Sequence, residues 1–178
     1  MDLILDVELD PRQICTAQQK GACIVGKRIR FFTKRTVAES NKRIKAAVLD
    51  AMRRAGVSLS PTVSASLRGK RITNYTVTNT VRRSKALRLD VTYYFPWQES
   101  APKRIKSPDA FMVERPDLDN LTKSFQDCLT ELRLWDDDSQ IAVLHLEKHR
   151  TDGRPRVALR VRTLADCGNP EGSCIPAE

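Results

Sequence analysis

Residues 115–146 read RPDLDNLTKSFQDCLTELRLWDDDSQIAVLHL, and they leave the chain little freedom in how it folds. Leu118, Leu121, Phe125, Cys128, Leu129 and Leu132 recur at helical spacing on one side of a helix, which fixes its buried face. At about 100° per residue, Asp119, Lys123 and Asp127 follow one another along the opposite side, each one turn from the last, and are excluded from the core. Pro116 favours an extended residue before it, so Asp117 and Asp119 straddle the junction where the chain turns into helix. The helix runs out near Leu134. Trp135 then anchors a return that delivers Asp136, Asp137 and Asp138 ahead of an apolar strand from Ile141 to Leu146. The pattern predicts a helix laid on a sheet, with the second acidic group brought back across that sheet.

Other elements follow from the same periodicities. Leu3, Leu5, Val7 and Leu9 alternate with mostly acidic neighbours and predict an opening strand ended by Pro11. A first helix is predicted from a Thr36/Glu39 capping box, apolar Val37, Ile44, Val48, Met52 and Ala55 at helical spacing, and a stop at Gly56. Its other face carries Lys42, Arg43, Lys45, Arg53 and Arg54. From Leu87 to Phe95 every odd residue is apolar, which predicts a half-buried strand, and Val157, Leu159 and Val161 repeat that pattern against Arg156, Arg160 and Arg162. Between the first helix and Leu87, two alternating runs flank an Arg-Gly-Lys turn and suggest a β-hairpin. It is either a basic arm for a nucleic-acid backbone or an extra hairpin packed on the sheet edge. A long connection from Pro96 to Pro116 carries Lys103, Arg104 and Lys106, and after Thr163 the composition turns to that of a loose tail.

Charge narrows the function. Lys20 to Lys106 holds 21 Lys and Arg against four acids, whereas Ser107 to Glu147 holds ten acids against three basic residues. Basic surface attracts polyanions through counterion release, while clustered carboxylates repel phosphate unless cations lie between them. That combination suits a metal-dependent enzyme acting on nucleic acid; a solvated basic face beside an unrelated acidic helix would show the same charges. No apolar run approaches the roughly 18 residues of a membrane span, and acids interrupt the first ten residues, so the reading is a cytoplasmic protein without membrane contact. The five cysteines, an odd number without a C-x-x-C pair, read as reduced thiols.

Carboxylates from two chain segments meet the needs of a hard divalent cation, because Mg²⁺ takes oxygen ligands and keeps waters for exchange. In phosphodiester hydrolysis such a site orients water and neutralises developing charge. Spacing alone does not separate this from a carboxylate at a helix N-terminus beside a solvated acidic turn.

The run RPDLDNLTKSFQDCL followed by LWDDDSQI resembles the signature of the RusA-type Holliday-junction resolvases, in which Pro-Asp-x-Asp-Asn opens a helix bearing a lysine and Trp-x-Asp-Asp follows. Pro116, Asp117, Asp119, Asn120, Lys123, Asp127, Trp135, Asp137 and Asp138 fall on that signature without a gap. The resemblance is strong over residues 115–141 and loose over 1–163, where the first strand, first helix and later strands follow the family's order. It implies an α+β fold with a small mixed β-sheet and two main flanking helices. It also implies a homodimeric, Mg²⁺-dependent endonuclease, with Mn²⁺ as the alternative ion, acting on four-way junction DNA in recombination and repair. Carried over by position, Asp117, Asp119 and Asp138 are the catalytic, metal-binding carboxylates and Lys123 the catalytic lysine. The expected domain is 1–163, with an insertion at about 59–83, a long loop at 96–116 and a tail at 164–178. The insertion and loop exceed the family's compact core and bear on substrate preference. A general nuclease on flaps, forks or RNA, and a non-catalytic nucleic-acid-binding module, are the competing readings.

Residues outside the motif carry less. His145 and His149 sit in HLEKH, whose glutamate is misplaced for a zinc-protease helix, and read as structural residues of a strand. Asp136 reads as solvated or in the outer shell of the site, and Trp135 as a core anchor. The Leu87–Phe95 and Val157–Val161 strands are the candidates to leave an edge or face for a second copy.

Overall fold

The computed structural model describes residues 2–15, 20–25, 28–33, 35–65, 71–78, 81, 85–102, 106–107 and 110–164. In chain order the elements are β1 (Asp2–Val7), β2 (Lys20–Val25), β3 (Arg28–Thr33), α1 (Arg35–Arg54), β4 (Leu59–Ala65), β5 (Arg71–Val77), β6 (Leu87–Pro96), β7 (Ala110–Phe111), α2 (Leu118–Glu131), β8 (Ile141–Thr151) and β9 (Arg156–Thr163). A 3-10 turn at Pro11–Gln13 follows β1, and another at Asp138–Gln140 precedes β8.

Strands of period two bury one face each, and that rule builds the main sheet. Its five strands run in the order β1-β9-β6-β8-β7. Only the β6–β8 pairing is parallel. In β6 the odd residues Leu87, Leu89, Val91, Tyr93 and Phe95 are all 0–1 % exposed, as the alternation predicts. Register places them beside Leu159 and Val157 of β9, which in turn sit beside Leu5 and Val7 of β1, so one apolar face runs across the sheet.

Both helices cover that face. Ile44, Val48 and Met52 of α1 are fully buried in the same core cluster as Leu5 and Val7. α2 presents Leu121, Phe125, Cys128 and Leu129, and the Phe125 ring meets Tyr93 edge-on at 6.3 Å and 83°. The Tyr93 hydroxyl is paired with Thr122 Oγ1 at 3.1 Å, which satisfies the one polar atom of that buried ring. Lys45 to Glu131, at 2.5 Å, ties α1 to α2. Two buried serines, Ser40 of α1 and Ser124 of α2, bond the backbone at Gln13 and Cys15 and fix the chain that follows the 3-10 turn after β1. Cys15 and Cys128 are free thiols, and burial pushes Cys128 up to about 12.

The opposite face of the sheet is charged and neutralised. Arg160 bonds Asp2, Arg156 faces Asp6 at 3.7 Å, and Asp90 accepts from both Arg88 and Arg162. The arginines of the last strand are therefore matched by acids of β1 and β6.

Several expectations need correction. Thr36 lies inside α1 and cannot be its N-cap; Glu39 instead accepts from Arg35 at 2.8 Å, one turn before it. Gly56 does end the helix, at φ +71°, but Ala55 is exposed. The hairpin exists as β4–β5, yet forms its own two-stranded sheet and does not extend the main one. Its base is tied down where Val77 N–H donates to Leu132 O at 2.9 Å and Arg53 lies over the Tyr75 ring. The β2–β3 hairpin has no counterpart in the sequence reading. β6 and β9 are interior strands, so neither supplies a free edge. The Arg-Gly-Lys turn, Lys103, Arg104 and the tail from residue 165 lie outside the described residues.

Trp135 is the largest fully buried side chain, and its indole N–H donates to Thr130 Oγ1 at 2.7 Å. Truncating it removes that anchor from the turn after α2. Trp135→Ala is expected to cost about 3–5 kcal/mol in urea unfolding, whereas a cost below about 1 kcal/mol would mean the turn is held by other contacts.

Candidate active site

Asp117 occupies the N-cap position of α2 in extended conformation, φ −73° and ψ 139°, and its carboxylate makes no capping hydrogen bond. An N-cap aspartate ordinarily folds onto the first amides of its helix. Here that carboxylate is exposed and uncommitted, and Asp119, in the first turn, is exposed as well. The positive end of the helix dipole offsets part of their mutual repulsion. Lys123, one turn on, is exposed and without a described ion-pair partner. Thus the polar side read from the sequence is the solvent side of α2.

The segment leading into α2 is held by β8. Lys148 Nζ donates to Glu114 O at 2.6 Å and to Pro116 O at 2.9 Å. Arg150, buried at 6 % exposure, donates to the Glu114 carboxylate and to Pro96 O, both at 2.9 Å. The Arg150 guanidinium holds the Glu114 carboxyl below its ordinary range. Met112 N–H donates to Lys148 O at 2.9 Å. Three hydrogen bonds therefore hold the backbone between Met112 and Pro116, just before Asp117, and a fourth holds the Glu114 side chain. Sequence reasoning missed Lys148, Arg150 and Glu114. The strand was read only from Ile141 to Leu146; alternation carried on along β8 would put the two cations on its helix-facing side beside Tyr93 and Phe95, but nothing local names the carbonyls they reach.

The second acidic group divides by role. Asp137 caps the 3-10 turn, accepting from Ser139 N–H at 2.9 Å in a capping box closed by Gln140. Gln140 is buried; its Oε1 accepts from the amides of Asp136 and Asp137, and its Nε2 donates to Lys85 O. Asp138 is exposed with no described partner, and Asp136 is exposed.

The carboxylates do not converge within one copy. α2 runs antiparallel to β6 and β8: Thr122, in its first half, meets Tyr93 near the end of β6, while Trp135, beyond its last turn, precedes the start of β8. Asp117 and Asp119 lie at the end of α2 tethered to Lys148, and Asp138 lies at the start of β8. The helix between them is fourteen residues long, about 21 Å at about 1.5 Å each, and Asp138 follows seven residues beyond its last residue. Among the described residues no three His, Cys, Asp or Glu side chains are grouped closely enough to hold a metal ion.

His145, Glu147 and His149 share one face of β8, with each histidine Nε2 at 3.0 Å from a Glu147 oxygen. The histidines hold the Glu147 carboxyl below its ordinary range. His149 is also stacked on Tyr94 and tilted against Phe111. Among the exposed cations of the helices, Arg35, Arg53 and Arg54 are engaged by Glu39, the Tyr75 ring, and Glu8 with Asp50 respectively. Lys42 and Arg43 of α1 have no described partner, nor does Arg115 beside the site.

These features define a two-layer α+β domain with a mixed five-stranded sheet and exposed carboxylates at the mouth of one helix. The family model described as Endodeoxyribonuclease RusA matches residues 60–162, from β4 through β9 and across every candidate site residue. The chain belongs to the RusA endodeoxyribonuclease family. It is similar to the crossover junction endodeoxyribonuclease rusA of Lactococcus phage r1t, with 39% identity over 75 residues. That stretch is 42% of this chain and 53% of the relative, so the chain spans about half the length of the curated relative it matches.

The split between capping and free aspartates has a direct test. Asp137→Ala is expected to destabilise the protein by about 1 kcal/mol through loss of the cap, and Asp138→Ala to stay within about 0.5 kcal/mol of wild type. Equal losses in denaturant titrations would show that both carboxylates serve the turn.

Proposed function

We propose that this chain is a metal-dependent, structure-selective DNA endonuclease that resolves four-way junctions by paired symmetric nicks, within recombination and repair. The observation that carries the reading is the uncapped, exposed Asp117 and Asp119 at the tethered start of α2, in a chain of the RusA endodeoxyribonuclease family. In this reading the catalytic domain spans 1–163 and residues 164–178 are a tail.

The donor chemistry fits Mg²⁺ or Mn²⁺. Such ions accept one or two carboxylates and complete their shell with water and substrate phosphate oxygens, and Asp117 with Asp119 offers two free carboxylates. When bound, the ion supplies Lewis acidity toward a phosphate oxygen and a bound water of lowered pKa. Asp117 and Asp119 would hold the ion, and the Lys148 and Arg150 tether keeps the segment before them still. Lys123 supplies a fixed positive charge to the phosphate undergoing displacement. Among the described residues, Lys42, Arg43 and Arg115 are exposed cations without a described partner and are available to the DNA backbone.

Asp138 is the third carboxylate of the reading, and its separation from the pair bears on assembly. A homodimer carries two copies of each group, so Asp138 of one copy can face Asp117 and Asp119 of the other. A two-fold dimer also matches the near two-fold symmetry of a junction that must be cut on two opposed strands.

The test is Mg²⁺-dependent cleavage of a synthetic junction beside matched duplex and fork. The junction should be cut in preference, with paired nicks. Asp117→Asn, Asp119→Asn and Asp138→Asn should each lower the rate by about 10²-fold or more, with junction affinity within about threefold of wild type. Lys123→Ala should lower turnover more than affinity. Equal cutting of forks or RNA would favour a general nuclease, and binding without cleavage a non-catalytic module.

A further inference from the structure

In the turn that carries Asp138, Asp136, Asp138 and Ser139 are exposed, and one buried side chain joins this turn to the body of the protein. Gln140 is 6% exposed. Its Oε1 accepts from the Asp136 and Asp137 amides at 2.9 and 3.1 Å, and its Nε2 donates to Lys85 O at 3.1 Å and to Val81 O at 3.5 Å. A primary amide has two acceptor lone pairs and two donor hydrogens, so its whole capacity is engaged. Two N–H groups on one side and two carbonyls on the other suit no other side chain of this length. A carboxylate would turn oxygen toward the carbonyls, and a thioether would leave all four groups unbonded. Val81 and Lys85 belong to the return of the insertion that precedes β6, and that return is itself bound to the chain beyond α2. Val77 N–H donates to Leu132 O at 2.9 Å, Val81 N–H donates to Leu134 O at 3.3 Å, and Val81 bridges Trp135 in parallel. Between these anchors Arg133 holds φ +61°, a conformation that a non-glycine residue keeps where its surroundings over-determine it. The Asp137 cap on Ser139 N–H shapes the turn from within, whereas Gln140 fixes where the turn stands.

We infer that Gln140 is a positioning residue of the proposed cleavage, and that Val77, Val81 and Lys85 in the return of the insertion are the strut against which it holds Asp138. This rests on the nuclease reading and gives the insertion a part in it. Asp138 is exposed and has no described partner, so its carboxylate keeps its place through the backbone of the turn. Misplacing a catalytic group by about 1 Å costs about 10²-fold in rate. The amide of Gln140 carries that requirement from the buried insertion return to the exposed acid.

Amide hydrogen exchange on the wild-type full chain, without DNA or metal, tests the joint whether or not the chain cuts. The Asp136 amide, although on an exposed residue, is expected to show protection approaching that of the β6 amides, and exchange at the rate of an open turn overturns the assignment. Single-turnover cleavage of the synthetic junction tests the role. Gln140→Glu keeps an oxygen for the two turn amides and removes donation to Lys85 and Val81, while Gln140→Met removes all four bonds at similar volume. Whichever variant circular dichroism shows to be folded is expected to lose about tenfold or more in rate, with junction affinity within about threefold of wild type. In an Asp138→Asn background the same substitution should lower the rate by less than about twofold, because its effect passes through Asp138. Near-wild-type cutting by a folded variant, a loss confined to affinity, or losses that multiply in the double variant overturn the positioning role and leave the nuclease reading standing. A wild type with a protected Asp136 amide that cuts no junction sinks the nuclease reading and the role that rests on it, so the two failures are told apart.

Discussion

The parallel pairing of β6 with β8 is the constraint from which the rest of the domain follows. Parallel neighbours cannot be joined by a tight turn, so the chain leaving β6 at Pro96 must travel back to the start of β8. That return is made by β7 and α2, and every candidate catalytic residue lies on it. α2 must run antiparallel to β6, and its apolar stripe must reach Tyr93 and the odd residues beside it. Its length then sets how far Asp117 and Asp119 stand from Asp138.

Commitment of charge distinguishes the site from the remainder of the surface. The arginines of β6 and β9 are matched by Asp2, Asp6 and Asp90 across neighbouring strands. Exposed pairs of this kind contribute little to stability, but they remove those cations from the surface open to a polyanion. Glu114 is taken by Arg150 and Asp137 by its own turn. Asp117, Asp119, Lys123 and Asp138 are left without such engagements, although each could have capped a helix or paired with a neighbour. A polar group held in place and left unpaired points to a partner outside the chain.

Local periodicity made much of this legible before any coordinates. The buried stripe of α2, the alternation of β6 and β9, the strand character of HLEKH and the burial of Trp135 all follow from side-chain repeat alone. Lateral order did not: β6 and β9 read as possible edges because alternation reports which face a strand buries and is silent on which strands flank it. The N-terminus of α1 was misplaced because Thr36 and Glu39 have capping-box spacing whether or not the helix starts two residues earlier. Asp137 and Asp138 are the same letter twice, and only the amide of Ser139 and the buried Gln140 tell them apart. The separation of Asp138 from Asp117 was hidden for a further reason. The motif gives adjacency in sequence along a helix whose two ends are remote in space.

The central claim is that Asp117 and Asp119 form a cation-binding pair that acts on a bound junction, while Asp137 belongs to the fold. Electron paramagnetic resonance of Mn²⁺ titrated into the protein–junction complex, corrected for Mn²⁺ held by the junction alone, tests this without relying on turnover. Bound Mn²⁺ should fall by about tenfold or more in apparent affinity on Asp117→Asn or Asp119→Asn, and should be unchanged on Asp137→Asn. Undiminished Mn²⁺ binding in both of the first two variants, or its loss in the third alone, would contradict the account.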